Sequence, residues 1–383
     1  MNWDSSRRNF LAAGLALPAA GLASATGVPS PSPAPPQAQP AAGKLSYRTL
    51  GKTGLKVTTV GYGCMITSDP TVITRAVDMG ITYFDTSRHY QGGQNERMVG
   101  AALGAMRKDI ILSSKVDAKD KAGALAELDT SLKELGTDHL DMWHLHGKDT
   151  PEDISDELID AERTAKQQGK IRFTAVSTHQ LPKVVDRIIA AKFDSVTAAY
   201  NFSMDPDWGP AIEKLNQAGI GVVAMKVMAG GVRGRDSKPQ MKRPGALVSA
   251  LKWVLKNPGV STTIPSMTDI DQLEQNFAVM GTKFEAADEK LLAERLEEIR
   301  TYHCRMCGQC DGQCAQGLPV ANMLRFGMYA DRYGQFALGR EHFLTLSAAH
   351  QSVRCADCTS CTVHCPNGVH VTEGLIRAQE IFG

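Results

Sequence analysis

The chain has 383 residues, of which 43% are hydrophobic and 22% are charged, and this length suffices for one large domain and a second, small one. The 42 basic and 41 acidic residues leave a net charge of +1, so we expect neither a nucleic-acid surface nor a polybasic membrane patch. No apolar run of transmembrane length follows the N-terminus, and we therefore expect no stable membrane span.

The first 25 residues have the pattern of an export signal. Arg7 and Arg8 precede an apolar stretch rich in Ala and Gly, and Ala23–Ala25 then offers a cleavage site for a signal peptidase. The paired arginines predict a twin-arginine signal, with the twin-arginine translocase as a partner and a periplasmic location. An uncleaved membrane anchor and an ordinary disordered N-terminus are the alternatives. The Pro-rich residues 26–45 are predicted to be an extended linker.

Residues 46–300 alternate between short apolar runs and longer amphipathic segments, such as the predicted helices Asp153–Gln168 and Pro244–Lys256. This alternation over about 250 residues predicts a closed (β/α)₈ TIM barrel. A doubly wound open sheet is the alternative, which the lack of a G-x-G-x-x-G motif after the first strand disfavours. The predicted strands are Val57–Gly61, Tyr83–Asp85, Ile110–Lys115, Met142–His146, Arg172–Ser177, Ser195–Ala199, Gly221–Met225 and Thr262–Ile264.

Several short motifs occur along this region in a fixed order. They are Gly51–Leu55, Gly61–Met65, Gly80–Thr86, Gly169–Arg172 and Ile264–Pro265. Together they resemble the aldo-keto reductases over residues 46–300. The resemblance implies a (β/α)₈ barrel and an oxidoreductase that interconverts a carbonyl and an alcohol. It also implies hydride transfer with a nicotinamide cofactor and a small-molecule carbonyl or alcohol substrate.

Four polar residues are predicted where strands end, at the mouth that carries the chemistry in TIM barrels. They are Asp85, Tyr90, Lys115 and His146, which match the catalytic tetrad of the family that the barrel resembles. Carbonyl reduction needs a proton on oxygen, and the pKa of a tyrosine hydroxyl, about 10, hinders its transfer at neutral pH. We expect the ammonium of Lys115 to lower that pKa, Asp85 to hold Lys115, and His146 to orient the substrate oxygen. Taken singly, each residue could instead be a helix cap, a solvated charge or a core histidine.

The choice between the two histidines of the fourth predicted strand depends on spacing. His146 lies five residues after Asp141, as the DLxxxH pattern of the family requires, and His144 does not. The tetrad histidine is therefore predicted to be His146.

The expected nicotinamide site departs from the family pattern. Thr178 follows Ser177 where the family usually has Asn, and Met225 stands where an aromatic residue commonly stacks on the nicotinamide. Ser266 and Gln272 replace the cations that grip a 2′-phosphate, which favours NAD over NADP, or weak dinucleotide binding. The predicted cofactor-binding residues are Ser177, Thr178, Lys226, Met228, Gly230, Ser266 and Asn276.

Residues 301–383 contain eight of the nine cysteines, in two C-x₂-C-x₂-C-x₃-C runs. This spacing is that of bacterial ferredoxins and predicts two 4Fe-4S clusters, with a disulfide scaffold or zinc sites as alternatives. The predicted ligands are Cys304, Cys307, Cys310 and Cys314, and Cys355, Cys358, Cys361 and Cys365. The resemblance to two-cluster ferredoxins implies that Cys314 and Cys365 are exchanged between the clusters. The predicted helices Val320–Arg332 and Phe336–Ala349 make this a mainly helical ferredoxin-like domain. The ninth cysteine, Cys64, is predicted on the first barrel strand as a small core residue.

The fusion of a hydride-transferring barrel with one-electron clusters suggests that the two exchange electrons. We expect the clusters to connect the barrel with a periplasmic redox carrier. The alternative is an iron–sulfur electron-transfer or binding module whose barrel has lost dinucleotide-dependent catalysis.

Overall fold

A computed structural model describes residues 44–230 and 245–383. The predicted signal peptide, 1–25, and nearly all of the predicted linker, 26–45, lie outside the described residues, as does residue 244 of the predicted helix Pro244–Lys256. Among the described residues, no helix is long and apolar enough to cross a membrane.

Eight parallel strands, β3 to β10, lie side by side in chain order, and bridges from Val60 to Thr263 and from Gly63 to Ser266 join the first to the last. The sheet therefore closes on itself, as the alternation of strands and helices predicts. A Cβ on Gly63 would lie 2.5 Å from the carbonyl oxygen of Ile264, so only glycine lets the backbones meet at this seam. The strands are β1 Tyr47–Thr49, β2 Lys56–Thr58, β3 Tyr62–Gly63, β4 Tyr83–Asp85, β5 Ile111–Val116, β6 Leu140–Leu145, β7 Ile171–Thr178, β8 Ser195–Ala199, β9 Gly221–Met225 and β10 Thr262–Thr263.

The first predicted strand, Val57–Gly61, is wrong. Its first half, β2, pairs antiparallel with β1 in a hairpin, and the barrel strand β3 begins only at Tyr62. Both halves are buried, so the apolar run did not show where one strand ended and the next began. Cys64 consequently follows β3 rather than lying on it, and it is fully buried.

The hairpin closes the N-terminal end of the barrel. Leu50, Leu55 and Val57 pack there against inward-facing side chains of the strands, among them Tyr83 and Met142. The larger core lies between the strands and the surrounding helices. With the bottom closed, only the end where the strands terminate is left for a ligand.

Several helices of the barrel begin at capping side chains. Asp69 accepts a hydrogen bond from Thr71 N at the start of α1, and Asp120 accepts one from Gly123 N at the start of α3. Ser155 caps α4, which therefore begins three residues later than the predicted Asp153. The barrel helices are α1 Pro70–Asp78, α2 Gln94–Leu103, α3 Lys121–Leu135, α4 Asp156–Gln167, α5 Leu181–Ala191, α6 Trp208–Gln217, α7 Ala246–Lys256, α8 Ile270–Phe277 and α9 Ala286–Ile299.

The C-terminal region is a small helical unit with its own core. Phe326, Phe343, Leu375 and Phe382 pack together at its centre. The predicted helix Phe336–Ala349 is wrong in its second half, because Ser347 accepts a hydrogen bond from His350 N and starts a new helix. The helices are α10 Val320–Asp331, α11 Phe336–Leu344, α12 Ala348–Ser352 and α13 Val371–Phe382.

Candidate active site

A buried ion pair lies at the barrel mouth, where β4 and β5 end. Lys115 Nζ is 2.5 Å from Asp85 Oδ2, and it also donates to the carbonyl oxygen of Thr86 at 2.7 Å. Asp85 Oδ1 accepts from the hydroxyl of Ser113 at 2.8 Å. Only 1% of Lys115 and 2% of Asp85 are exposed. Burial disfavours the ammonium, but the Asp85 carboxylate outweighs it and raises the pKa of Lys115, which therefore stays charged.

Tyr90 lies directly beside this pair. Its hydroxyl is 3.3 Å from Lys115 Nζ, which also lies 4.9 Å from the centre of the phenol ring. Burial raises the pKa of Tyr90 to about 12, although the charge of Lys115 acts to lower it. Lys115 thus acts on the pKa of Tyr90 in the expected direction, and burial, which the sequence analysis did not consider, outweighs it. Tyr90 is a phenol, and hence a proton donor, throughout the neutral pH range.

The two histidines of the fourth barrel strand have different surroundings. His146 follows the end of β6, lines the mouth, and stands edge-on to Tyr90 with ring centres 5.9 Å apart. His144 lies inside the barrel, where Thr197 Oγ1 is 2.9 Å from its Nε2 and Ser113 Oγ is 3.3 Å from its Nδ1. Burial, together with the charge of Lys115, holds the pKa of His146 well below its usual range. His146 is thus a neutral imidazole, able to donate one hydrogen bond and accept another.

A cavity of about 230 Å³ extends from these residues across the mouth of the barrel. Asp85, Tyr90 and His146 line it, and Lys115 lies just beneath them. Five of the seven predicted cofactor-binding residues also line it, in the segments that follow β9 and β10. They are Lys226, Met228, Gly230, Ser266 and Asn276.

Ser177 and Thr178, the other two, are fully engaged elsewhere. Ser177 Oγ accepts from Gly147 N at 2.9 Å, and Thr178 Oγ1 donates to Asp149 at 3.2 Å and accepts from Gln180 N at 2.9 Å. At most 1% of either residue is exposed, and neither lines the cavity. The structure therefore does not bring their hydroxyls to the cavity.

His179, the next residue, lines the cavity and was missed by the sequence analysis. Asp149 Oδ1 accepts from its backbone N at 2.6 Å, and Arg325 of α10 contacts both Asp149 and the ring Nδ1 of His179. Burial and the charge of Arg325 lower the pKa of His179 to about 3. The only sequence signal was its position directly after Ser177 and Thr178, and its partner lies 146 residues away.

Helices of the C-terminal region form the outer wall of the cavity. Tyr329 of α10, Tyr333 just beyond that helix, and Leu338 and His342 of α11 face the barrel mouth. His89 connects the barrel to the C-terminal region: its ring nitrogens lie 3.2 Å from Glu127 of α3 and 3.2 Å from Glu341 of α11. The site is therefore built by both parts of the chain.

Lys226, in the segment after β9, is enclosed by this wall. Its ammonium lies 4.7 Å from the ring centre of Tyr329 and 5.4 Å from that of Tyr333, and 3.4 Å from the Tyr329 hydroxyl. Burial lowers the pKa of Lys226. Gly230, four residues on, has a φ of +94°, and a Cβ there would lie 3.2 Å from Nδ1 of His303. A phosphate group can be bound by a lysine side chain and by a backbone that it can approach closely at a glycine, and the segment from Lys226 to Gly230 offers both.

The thiols of the first cysteine run lie close to one thiol of the second. Burial raises the pKa of the Cys304 thiol to about 12, and Cys310, Cys307 and Cys365 contribute to this rise. Cys307 and Cys310 likewise interact with Cys365. Cys314, the last cysteine of the first run, is not among the main influences on the pKa of these three thiols.

The remaining four cysteines form the complementary group. Burial raises the pKa of Cys355, and Cys314, Cys358 and Cys361 add to the effect. All eight are free thiols. Within residues 44–230 and 245–383, no set of three or more His, Cys, Asp or Glu residues is arranged as a finished metal site. Thiols are ligands of the soft kind that iron–sulfur clusters take.

This barrel and the residues at its mouth form the kind of site that oxidoreductases of carbonyl or alcohol groups use. The Aldo/keto reductase family matches residues 68–249. An uncharacterized oxidoreductase of Bacillus subtilis is 29% identical over 305 residues, which cover 67% of this chain and 95% of that protein. L-galactose dehydrogenase of Arabidopsis thaliana is 28% identical, over 66% of this chain and 93% of its own length.

A solved structure agrees with these sequences. The holo form of an aldo-keto reductase from Bacillus halodurans is 28% identical and superimposes with a TM-score of 0.57, covering 66% of this chain and 96% of its own. The barrel of this protein is thus similar to the aldo/keto reductases in sequence and fold, and the protein is an oxidoreductase that acts on carbonyl or alcohol groups.

Proposed function

We propose that the barrel mouth binds a nicotinamide dinucleotide and interconverts a small carbonyl compound and its alcohol. The observation that carries this proposal is one continuous cavity. It reaches from Tyr90 and His146 to Lys226, Gly230 and Ser266. Proton donor and phosphate-binding elements therefore lie in a single space, as a reaction between a dinucleotide and a second ligand requires.

The nicotinamide, when bound, supplies the hydride, and the chain handles the proton. Tyr90 donates it to the carbonyl oxygen, since the raised pKa keeps the hydroxyl protonated at neutral pH. Lys115 stabilises the phenolate that the transfer leaves, and Asp85 keeps Lys115 in place. His146, neutral and edge-on to Tyr90, orients the carbonyl oxygen.

A binding module without catalysis is not favoured. Retaining a buried charged pair costs desolvation free energy that hydrophobic residues would not cost. Lys115 and Asp85 are nevertheless both kept, with their polar atoms satisfied, beside an un-ionised phenol donor that lines the cavity. Such an arrangement is expected where the charge is used in a reaction.

We infer that NAD is preferred to NADP. The segment after β10, residues 264–277, contains no Lys or Arg. Gln272, which lines the cavity, donates to the carboxylate of Asp269 at 2.5 Å, so this segment presents an amide with an acid behind it. A 2′-phosphate would find no cation in this segment.

We further propose that residues 301–383 hold two 4Fe-4S clusters. The first would be held by Cys304, Cys307, Cys310 and Cys365, and the second by the other four cysteines. The support is the soft donor set, the ferredoxin spacing, and the grouping of the thiols by mutual effect on pKa. Such clusters supply one-electron transfer, and a redox carrier would be the partner.

We also propose export by the twin-arginine translocase to the periplasm, on the sequence pattern of residues 1–25. Replacement of Arg7 and Arg8 by Lys is expected to keep the protein in the cytoplasm of a host that has this translocase, as judged by cell fractionation. Export of the substituted protein at the normal level would contradict the proposal.

The enzymatic proposal is tested with anaerobically purified protein. NADH and NADPH binding are measured by quenching of protein fluorescence. Oxidation of NADH is followed with a panel of simple aldehydes and a quinone, and reduction of NAD is followed with L-galactose, for which the Arabidopsis relative is named. We expect tighter binding of NADH than of NADPH, and turnover with at least one carbonyl. Protein that binds neither dinucleotide would contradict the proposal. Iron and sulfide contents and the electron paramagnetic resonance of the dithionite-reduced protein test the clusters independently.

A further inference from the structure

His179, a residue of the cavity, is held by a side chain of the C-terminal region. His179 lies at the barrel mouth and is 6% exposed, and Arg325 of α10 and Asp149 both contact its Nδ1. Asp149 in turn accepts from the backbone N of His179 at 2.6 Å and from Arg325 Nη1 at 2.8 Å. The imidazole is therefore held on one side by an ion pair that joins the two parts of the chain.

The contact with Arg325 decides which ring nitrogen carries the proton. Asp149 also contacts Nδ1, at 3.2 Å, and can only accept, whereas the guanidinium of Arg325 can only donate. The Arg325 contact is the shorter of the two, and we therefore assign Nδ1 as the acceptor. The neutral ring then carries its proton on Nε2. Within the described parts of the chain, Nε2 has no hydrogen-bond partner, while the residue lines the cavity.

The charges around His179 keep it in this state. Lys226 after β9, Arg325 on α10 and the neutral His146 after β6 face it, with Asp149 as the one carboxylate. Burial and Arg325 lower its pKa, and they outweigh the opposing effect of Asp149. The ring is thus a neutral donor at neutral pH.

We propose that His179 is a ligand-binding residue that donates a hydrogen bond from Nε2 to a carbonyl oxygen in the cavity, and that Arg325 positions it by fixing its tautomer. The acceptor is either the carboxamide of the nicotinamide or the carbonyl of the substrate. Ser177 and Thr178 do not offer this contact, because neither lines the cavity. The inference rests on the proposed dinucleotide-dependent function.

The first experiment compares His179→Leu with His179→Gln in the full-length, cluster-loaded protein. Leu removes the donor, whereas the Gln amide can still donate from a similar distance. Dissociation constants are measured for NADH and for ADP-ribose, which lacks the nicotinamide, and kcat and KM for the carbonyl substrate. ADP-ribose binding reports on the fold of the cavity without the proposed contact.

The two possible acceptors give different results. If the acceptor is the nicotinamide carboxamide, His179→Leu weakens NADH binding about tenfold and leaves ADP-ribose binding unchanged. If it is the substrate, NADH binding is unchanged and kcat/KM falls about tenfold. In either case His179→Gln recovers part of the loss. Normal NADH binding and normal kcat/KM in His179→Leu would overturn the inference and leave the proposed function intact.

The second experiment tests the positioning role of Arg325 through pH. In Arg325→Met, Asp149 can accept from Nδ1–H, which leaves Nε2 without a proton and facing the carbonyl oxygen. Binding of the affected ligand should then be weak at about pH 9 and recover as the pH falls and the ring becomes protonated, because the loss of Arg325 and the presence of Asp149 both raise the pKa of His179. The wild-type protein should show no such dependence, since its His179 stays neutral.

A matched control is the exposed ion pair between Lys183 of α5 and Asp311, which also joins the two parts of the chain but does not line the cavity. Lys183→Met should leave binding and its pH dependence unchanged. A uniform loss of binding at all pH values in Arg325→Met would show a merely structural role and overturn the positioning claim. Wild-type protein that binds neither NADH nor ADP-ribose would contradict the proposed function, and this inference with it.

Discussion

The barrel mouth and the cysteine region differ in how their functional groups are held. Lys115 and Asp85 are almost entirely buried, and each has hydrogen-bond partners that fix it. Cys358 and Cys361, by contrast, are exposed thiols in a segment in which residues 356–362 are all exposed. The fold alone thus positions the charged groups of the barrel site. The cysteine region, by contrast, would be completed by the clusters that we propose it binds.

The difference follows from the cores beneath the two sites. The barrel mouth rests on eight strands and on the core between those strands and their helices, so its side chains have few alternative positions. The C-terminal core is small and is centred on a few aromatic and aliphatic side chains. Small domains with little core commonly depend on a metal for stability. The comparison predicts that loss of a proposed metal ligand destabilises the C-terminal region, and that loss of a buried charge at the barrel mouth destabilises the barrel.

Lys115→Met should have the largest effect. It removes the cation that stabilises the phenolate of Tyr90 and leaves Asp85 as an uncompensated buried charge. We expect kcat to fall about 10³-fold and the free energy of unfolding to fall by about 3 kcal/mol, measured by steady-state kinetics and urea denaturation. The double variant with Asp85→Asn should recover stability without recovering activity. Recovery of both would mean that the pair is purely structural.

Cys310→Ala tests the other region. Cys310 is buried in the C-terminal core and is one of the proposed ligands of the first cluster. Its loss should lower the iron content by about one cluster per chain and destabilise the C-terminal region, while the barrel keeps its secondary structure. Iron analysis and thermal unfolding by circular dichroism provide the measurements. Unchanged iron content would contradict the proposed ligand set.

The pH dependence of the two reaction directions should differ. Because the pKa of Tyr90 is raised to about 12, its proton-donating form persists well above neutral pH. The rate of carbonyl reduction should therefore stay flat from about pH 6 to about pH 10, whereas alcohol oxidation, which needs the deprotonated form, should rise with pH. Rates are measured under saturating substrate. A reduction rate that falls with a midpoint near pH 8 would show that the bound cofactor or substrate lowers this pKa.

Cys64→Ala should have the smallest effect and serves as a control for Cys310→Ala. Cys64 is fully buried beside the barrel mouth, and burial raises the pKa of its thiol, so it is an unreactive packing residue. Replacing it removes one sulfur atom from the core, with an expected loss of about 1 kcal/mol in unfolding free energy. Iron content and activity should be unchanged. A loss of iron would give this cysteine a role that its position does not suggest.

The sequence predicted the features that depend on local pattern. The alternation of strands and helices gave the barrel, and the strand ends placed Asp85, Tyr90, Lys115 and His146 close together. What it missed depends on distant contacts. No local signal showed that Arg325 would turn His179 into a cavity residue, or that burial would outweigh the charge of Lys115 at Tyr90.

The most direct test of the central claim is a single-turnover experiment with wild-type protein and Tyr90→Phe. Each is loaded with NADH and mixed anaerobically with an active carbonyl substrate, and loss of the nicotinamide absorbance is followed. The geometry predicts equal NADH binding in both proteins, rapid oxidation in the wild type, and oxidation at least about 10²-fold slower in Tyr90→Phe. Oxidation of NADH at the wild-type rate by Tyr90→Phe would contradict the assignment of Tyr90 as the proton donor and, with it, the proposed function of the barrel mouth.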